Sequence, residues 1–147
     1  MRSLLAVFVG GLVGTGLRLA VEAALPHADD DLPLGILLVN LAGALALGAC
    51  VGGAWRLPST PDWVKAGVGA GVLGSFTTFS SVMAALVVLG RADAWWTAAG
   101  YLAASVIGGL VAAVLGLRAG TAIVRRRLDA DPGRGSGTGA GTGEAPR

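Results

Sequence analysis

Four apolar stretches, residues 4–25, 34–55, 64–89 and 95–117, account for most of the chain. Each is close to the roughly 20 residues that carry an α-helix across about 30 Å of hydrocarbon. Backbone amides and carbonyls find no water inside a bilayer, so runs of this length predict an all-α membrane protein with four transmembrane helices. The composition agrees: 54% of residues are hydrophobic and 14% charged, with a mean hydropathy of +0.71, whereas soluble domains carry about a quarter charged residues. Arg2 before the first run suggests a signal peptide. The run is too long for a signal core and three similar spans follow, so it reads as a retained helix.

The third stretch contains Gly71-Val72-Leu73-Gly74-Ser75-Phe76-Thr77-Thr78-Phe79-Ser80-Ser81, a Gly- and hydroxyl-rich run inside an apolar span. A segment that invites helix breakage within hydrocarbon is tolerated only where it lines a polar cavity or binds something. The third helix is therefore expected to break near its middle, with residues 74–81 as the site of function. Carbonyls freed around Gly74 and Thr77 can coordinate a small hard cation, as unwound membrane helices do.

With both termini on one side, that side carries Arg2, Arg56, Lys65, Arg118 and Arg125-Arg126-Arg127, against Arg18 and Arg91 opposite. The positive-inside rule then places both termini in the cytoplasm of a multi-pass cell-membrane protein. Residues 1–124 form the channel-sized membrane unit. Residues 125–147 begin basic and become Gly-, Ser- and Thr-rich, and the stretch from Asp129 is too poor in apolar side chains to offset the entropy of ordering. Four Gly- and Ala-rich helices pack closely and leave little room for a pathway in one subunit, so at least a dimer is expected.

Membrane-embedded polar residues are costly and are default candidates for function. Asn40 can donate two hydrogen bonds to an anion or bridge to a neighbouring helix, and the bridge is the better reading of the residue alone. Arg18 can snorkel to headgroups, draw in anions, or pair with Glu22 one helical step away. Phe76 and Phe79 read first as packing, although a ring edge carries positive quadrupole charge that can face an anion. Thr78, Ser80, Ser81, Tyr101 and Ser105 offer hydroxyls that either line a path or bond back to the helix. Cys50 reads as a small buried residue and His27, beside Asp29-Asp30-Asp31, as loop. Nothing supports an enzyme: there is no nucleophile–base arrangement, phosphate loop or intramembrane carboxylate pair. No nucleic-acid partner is expected.

Three stretches, in order, resemble the CrcB/Fluc family of fluoride channels: Gly10-Gly11-Leu12-Val13-Gly14-Thr15-Gly16-Leu17-Arg18, then Leu34-Gly35 through Val39-Asn40-Leu41-Ala42-Gly43, then Gly74-Ser75-Phe76-Thr77-Thr78-Phe79-Ser80. The resemblance implies an antiparallel dimer with two pores that passes fluoride out of the cytoplasm, with Na⁺ at its centre on backbone carbonyls of Gly74 and Thr77. It also implies that Asn40 and Phe79 line the pore. Thr78, Ser80, Ser81, Tyr101 and Ser105 would fall along a polar track, and Arg18 near a vestibule. Val82 stands where the family usually has a second phenylalanine, and Ala85 where an acidic residue is often found. Either the pore tolerates an aliphatic wall or a partner chain supplies the missing ring. The Lys/Arg bias favours a homologous but distinct second subunit, because opposed copies of one chain need a nearly balanced distribution. Two other classes compete: a small multidrug-type cation/proton antiporter, for which only Glu22 offers a carboxylate, and a non-conducting partner subunit.

Overall fold

The computed structural model describes residues 1–26 and 31–130. Four helical segments in it are long and apolar enough to cross a membrane, and among the described residues all regular structure is helical. His27, Asp29 and Asp30 lie outside the described residues, as do residues 131–147, which hold most of the expected disordered tail.

Helix α1 (Arg2–Ala24) is followed by α2 (Leu34–Gly52) and a 3₁₀ turn over Ala54–Arg56. The third span, Asp62–Arg91, is composite. It starts as α3 (Asp62–Ala66), widens into a π-helix over Gly67–Leu73, tightens into the single turn α4 (Gly74–Phe76), and resumes as α5 (Phe79–Arg91). Helix α6 (Trp95–Asp129) closes the bundle. The α5–α6 turn holds Asp93 at φ 55°, a left-handed conformation that Asp tolerates better than most residues.

Small residues decide which helices meet. A methyl group on Gly10 would collide with the Gly67 carbonyl, and one on Gly14 with the Val72 carbonyl. Helix α1 therefore lies against the π-helical stretch at backbone contact. Helices α2 and α6 meet in the same way, with Gly48 against the Ala113 carbonyl, Gly116 against Leu45 and Gly120 against Ala49. Such contact lets membrane helices gain dispersion energy where lipid offers no hydrophobic drive. Thr121 adds to this seam by donating its hydroxyl to the Leu117 carbonyl at 2.8 Å and more weakly to Gly52 at 3.4 Å. A conventional apolar core survives between α5 and α6, where Val82, Ala85, Leu89, Ala98 and Tyr101 are buried together.

One boundary differs from the sequence expectation. Helix α6 does not stop near residue 117 but runs to Asp129, so Arg125, Arg126 and Arg127 are helical. Apolar-span length marks only the part inside hydrocarbon, and residues 118–128 contain no proline to end a helix already paired with α2. The interruption of the third span falls at Thr77–Thr78, inside the expected residues 74–81, and Gly74 keeps helical angles (φ −65°, ψ −30°).

Candidate functional site

The break is built from side chains that compete with the helix for its own hydrogen bonds. Thr77 is extended (φ −78°, ψ 153°), as is Thr78 (φ −149°, ψ 123°). β-Branched residues favour this region over the helix. Asn40 then holds Thr78 at both ends: its Oδ1 accepts from the Thr78 N–H at 2.8 Å, and its Nδ2 donates to the Thr78 carbonyl at 2.9 Å. One carboxamide thus replaces the two backbone partners an unbroken helix would supply. The bridging reading of Asn40 holds, and the amide retains one N–H beyond the bond to Thr78.

Thr78 also caps α5. Its Oγ1 accepts from the Ser81 N–H at 3.2 Å, the N-cap arrangement that Thr favours. The same hydroxyl lies 3.1 Å from Ser81 Oγ and 3.2 Å from Ser80 Oγ, which gathers three hydroxyls at the start of α5. Thr77 turns back, with both its N–H and its hydroxyl donating to the Leu73 carbonyl at 3.0 and 2.9 Å.

These bonds have a consequence for the carbonyls. In a continuous helix the Gly74 carbonyl would accept from the Thr78 N–H and the Thr77 carbonyl from the Ser81 N–H. Both donors are taken, the first by Asn40 and the second by Thr78 Oγ1. The i+3 donor that could rescue Gly74 is committed to Leu73. Gly74 and Thr77 therefore carry carbonyl oxygens stripped of their helical donors, as a small hard cation requires of backbone ligands.

Two cavities flank this bridge. One of about 500 Å³ is bounded by Asn40, Thr77, Thr78, Phe79, Val82 and Ser105, and another of about 320 Å³ by Asn40, Gly43, Leu47, Leu73, Gly74 and Thr77. Gly43 is required at their junction, since a Cβ there would strike the Thr77 methyl. Phe79 is 75% exposed although it sits near mid-span, whereas Val82, one turn on, is 6% exposed against the α5–α6 core. Ser81 faces a third cavity of about 290 Å³ that opens beside Asp31.

The remaining candidates are spread more widely. Ser105 and the fully buried Tyr101 stand one helical turn apart on α6, with both hydroxyls buried. Tyr101 packs in the α5–α6 core and not among the residues bounding the central cavities. Arg18 Nε stands 4.0 Å from Glu22 Oε1, too long for a hydrogen bond, so the two form a loose ion pair near the end of α1. Sequence reasoning missed the π-helical turn and the partner of Asn40. Neither changes the hydropathy pattern, and the one available signal was the Gly67, Gly69 and Gly71 repeat.

Comparison with known proteins gives the chain's family. The family described as CrcB-like protein, Camphor Resistance (CrcB), matches residues 5–117. A protein of Geobacillus kaustophilus (strain HTA426), "Fluoride-specific ion channel FluC 2", is 39% identical over 115 residues, 78% of this chain and 87% of that protein. "Fluoride-specific ion channel FluC" of Anaeromyxobacter sp. (strain K) is 41% identical over 117 residues, 77% of this chain and 90% of the other. "Fluoride-specific ion channel FluC 1" of Lactiplantibacillus plantarum is 39% identical over 110 residues, 73% and 89% of the two chains. The chain belongs to the CrcB family.

Proposed function

We propose that this CrcB-family chain is a subunit of a fluoride-selective ion channel that lets fluoride leave the cytoplasm passively and so relieves its toxicity. The observation that carries the reading is the Asn40-clamped break at Thr77–Thr78, which opens onto a cavity shared by Phe79 and Ser105. Relatives named as fluoride-specific channels cover most of the chain. Fluoride is strongly hydrated, so its path must replace water with hydrogen-bond donors and polarised C–H edges while excluding larger halides by width. Asn40 contributes its remaining N–H, and Thr78, Ser80, Ser81 and Ser105 contribute hydroxyls. Phe79 presents a ring edge. In this reading Tyr101 backs Ser105 from the core, and Arg18, held loosely by Glu22, draws anions towards a vestibule.

The carbonyls of Gly74 and Thr77 would hold a structural Na⁺, whose charge draws anions to the bundle centre and ties two subunits together. Two carbonyls make half a cage, so the opposite half comes from a second, antiparallel subunit. Exposure of Gly74, Phe79 and Ser80 at mid-span supports such a cover, because bare polar backbone is not tolerated against lipid. The Lys/Arg bias supports cytoplasmic termini and a homologous but distinct partner.

Val82 favours a second reading, a subunit that completes its partner's pore without conducting through its own, since an aliphatic side chain bounds the cavity where an aromatic edge is expected. The multidrug-antiporter reading loses support, because Glu22 lies two residues from the end of α1 and already faces Arg18. Fluoride-electrode efflux from liposomes containing this chain alone, or this chain with an oppositely biased homologue, tests the proposal. Efflux is expected only from the pair. Robust efflux from this chain alone removes the need for a distinct partner, and none from either preparation removes the channel.

A further inference from the structure

We propose that the cleft between the end of α2 and the last turns of α6 binds one anionic phospholipid, with its phosphate on Arg127 and its acyl chains along the apolar floor. The proposal rests on the chain being embedded in a bilayer and is independent of what it conducts.

Depth is the first argument. Helix α6 has 35 residues, about 52 Å at 1.5 Å per residue, against about 30 Å of hydrocarbon. Trp95 and Trp96, 65% and 92% exposed, mark one interface in the manner of an aromatic belt. Helix α2 starts at Leu34, and about 20 residues from there reach the opposite interface near Ala54; Gly120 lies against Gly53, so the cleft between them opens at headgroup depth.

Chemistry is the second. The cleft, about 290 Å³, is bounded by Cys50, Ala54, Leu57, Ile123, Val124 and Arg127, of which Arg127 alone is charged. Cys50 is only half-buried, because this cleft lies open beside it. Gly120, Ile123 and Arg127 share one helical face, whereas Arg125, two residues back, points about 200° away. An apolar trough with a guanidinium at its mouth fits an amphiphile with an anionic head, and the planar Arg fork pairs with phosphate oxygens. Basic pockets between membrane helices take such headgroups. The same design recurs on the other flank at the same end of the bundle, where Arg2 and Trp63 bound an apolar groove with Leu5, Ala6 and Val9.

Native mass spectrometry of the full chain in mild detergent, titrated with phosphatidylglycerol, phosphatidylcholine or glycerol 3-phosphate, tests this directly. Phosphatidylglycerol should be retained preferentially, Arg127→Gln should lower that retention about fivefold, and Arg125→Gln should change it less than about twofold. Ile123→Trp, which fills the trough and leaves every charge in place, should also lower it. Equal losses from Arg125→Gln and Arg127→Gln would mean diffuse attraction to a basic helix and would overturn the site. So would equal retention of phosphatidylcholine, or a glycerol 3-phosphate adduct that matches the lipid and disappears with Arg127→Gln.

Discussion

The α2–α6 seam and the broken third span both lie within the bilayer and solve opposite problems. Along the seam, Gly48, Gly116 and Gly120 bring two intact backbones into contact, and every helical hydrogen bond stays at home. At Thr77–Thr78 the N–H groups of Thr78 and Ser81 leave the helical ladder, and Asn40 and the Thr78 hydroxyl take them, while Thr77 keeps its bond to Leu73. The seam spends its small residues on rigidity. The break spends its polar residues on taking the helical donors away from the Gly74 and Thr77 carbonyls beside a cavity. A membrane helix pair that keeps its ladder is scaffold, and the stretch whose ladder is diverted by a neighbour's side chain is where the path is proposed.

The comparison can be broken most severely at Asn40. Asn40→Ala removes both bonds to Thr78 and strands a buried N–H and C=O, at about 2–5 kcal/mol of stability. Fluoride efflux should fall on the order of a hundredfold, the cost of losing a donor to an ion. Thermal unfolding in detergent, and fluoride-electrode recordings of the variant reconstituted with the oppositely biased homologue, check the two effects; the other efflux measurements use the same pair. Gly116→Val attacks the scaffold instead, driving a side chain into the Leu45 carbonyl, with an expected cost of about 1–3 kcal/mol or more. Yield and melting temperature should drop while efflux per folded subunit stays close to the parent value. If that normalised flux collapsed, the two regions would not be separable.

Thr78→Val sharpens the contrast with an isosteric change. Loss of the α5 cap should cost about 1 kcal/mol, and efflux should fall because the hydroxyl that gathers Ser80 and Ser81 is gone. Phe79→Ile is the mildest test. The side chain is largely exposed within one subunit, so stability should move by less than about 0.5 kcal/mol. Efflux should still fall about tenfold if ring edges face the ion. Flux unchanged by Phe79→Ile would reduce Phe79 to packing.

The four spans were legible because hydrocarbon thickness imposes a length that few soluble helices share. The break was legible to within three residues, because Gly74, Thr77 and Thr78 concentrate small and β-branched side chains in one apolar run. Its place within residues 74–81 was not, since it depends on which backbone pair Asn40 reaches from another helix, and no local pattern encodes that choice. The π-helix over Gly67–Leu73 was invisible for a similar reason: hydrogen-bond register leaves no mark on hydropathy. The length of α6 was missed because a window tuned to apolar residues ends at Arg118, where the charge begins and the helix does not end.

Asn40→Asp gives the most direct test of whether this break is the ion path. The substitution keeps the size of the side chain and the oxygen facing the Thr78 N–H, but it turns the donor that faces the Thr78 carbonyl into an acceptor and places a carboxylate in the cavity. Fluoride-electrode efflux from liposomes holding the variant together with the oppositely biased homologue, normalised to folded protein, should vanish while circular dichroism still reports a folded helical protein. Undiminished efflux from a well-folded Asn40→Asp protein would contradict the account.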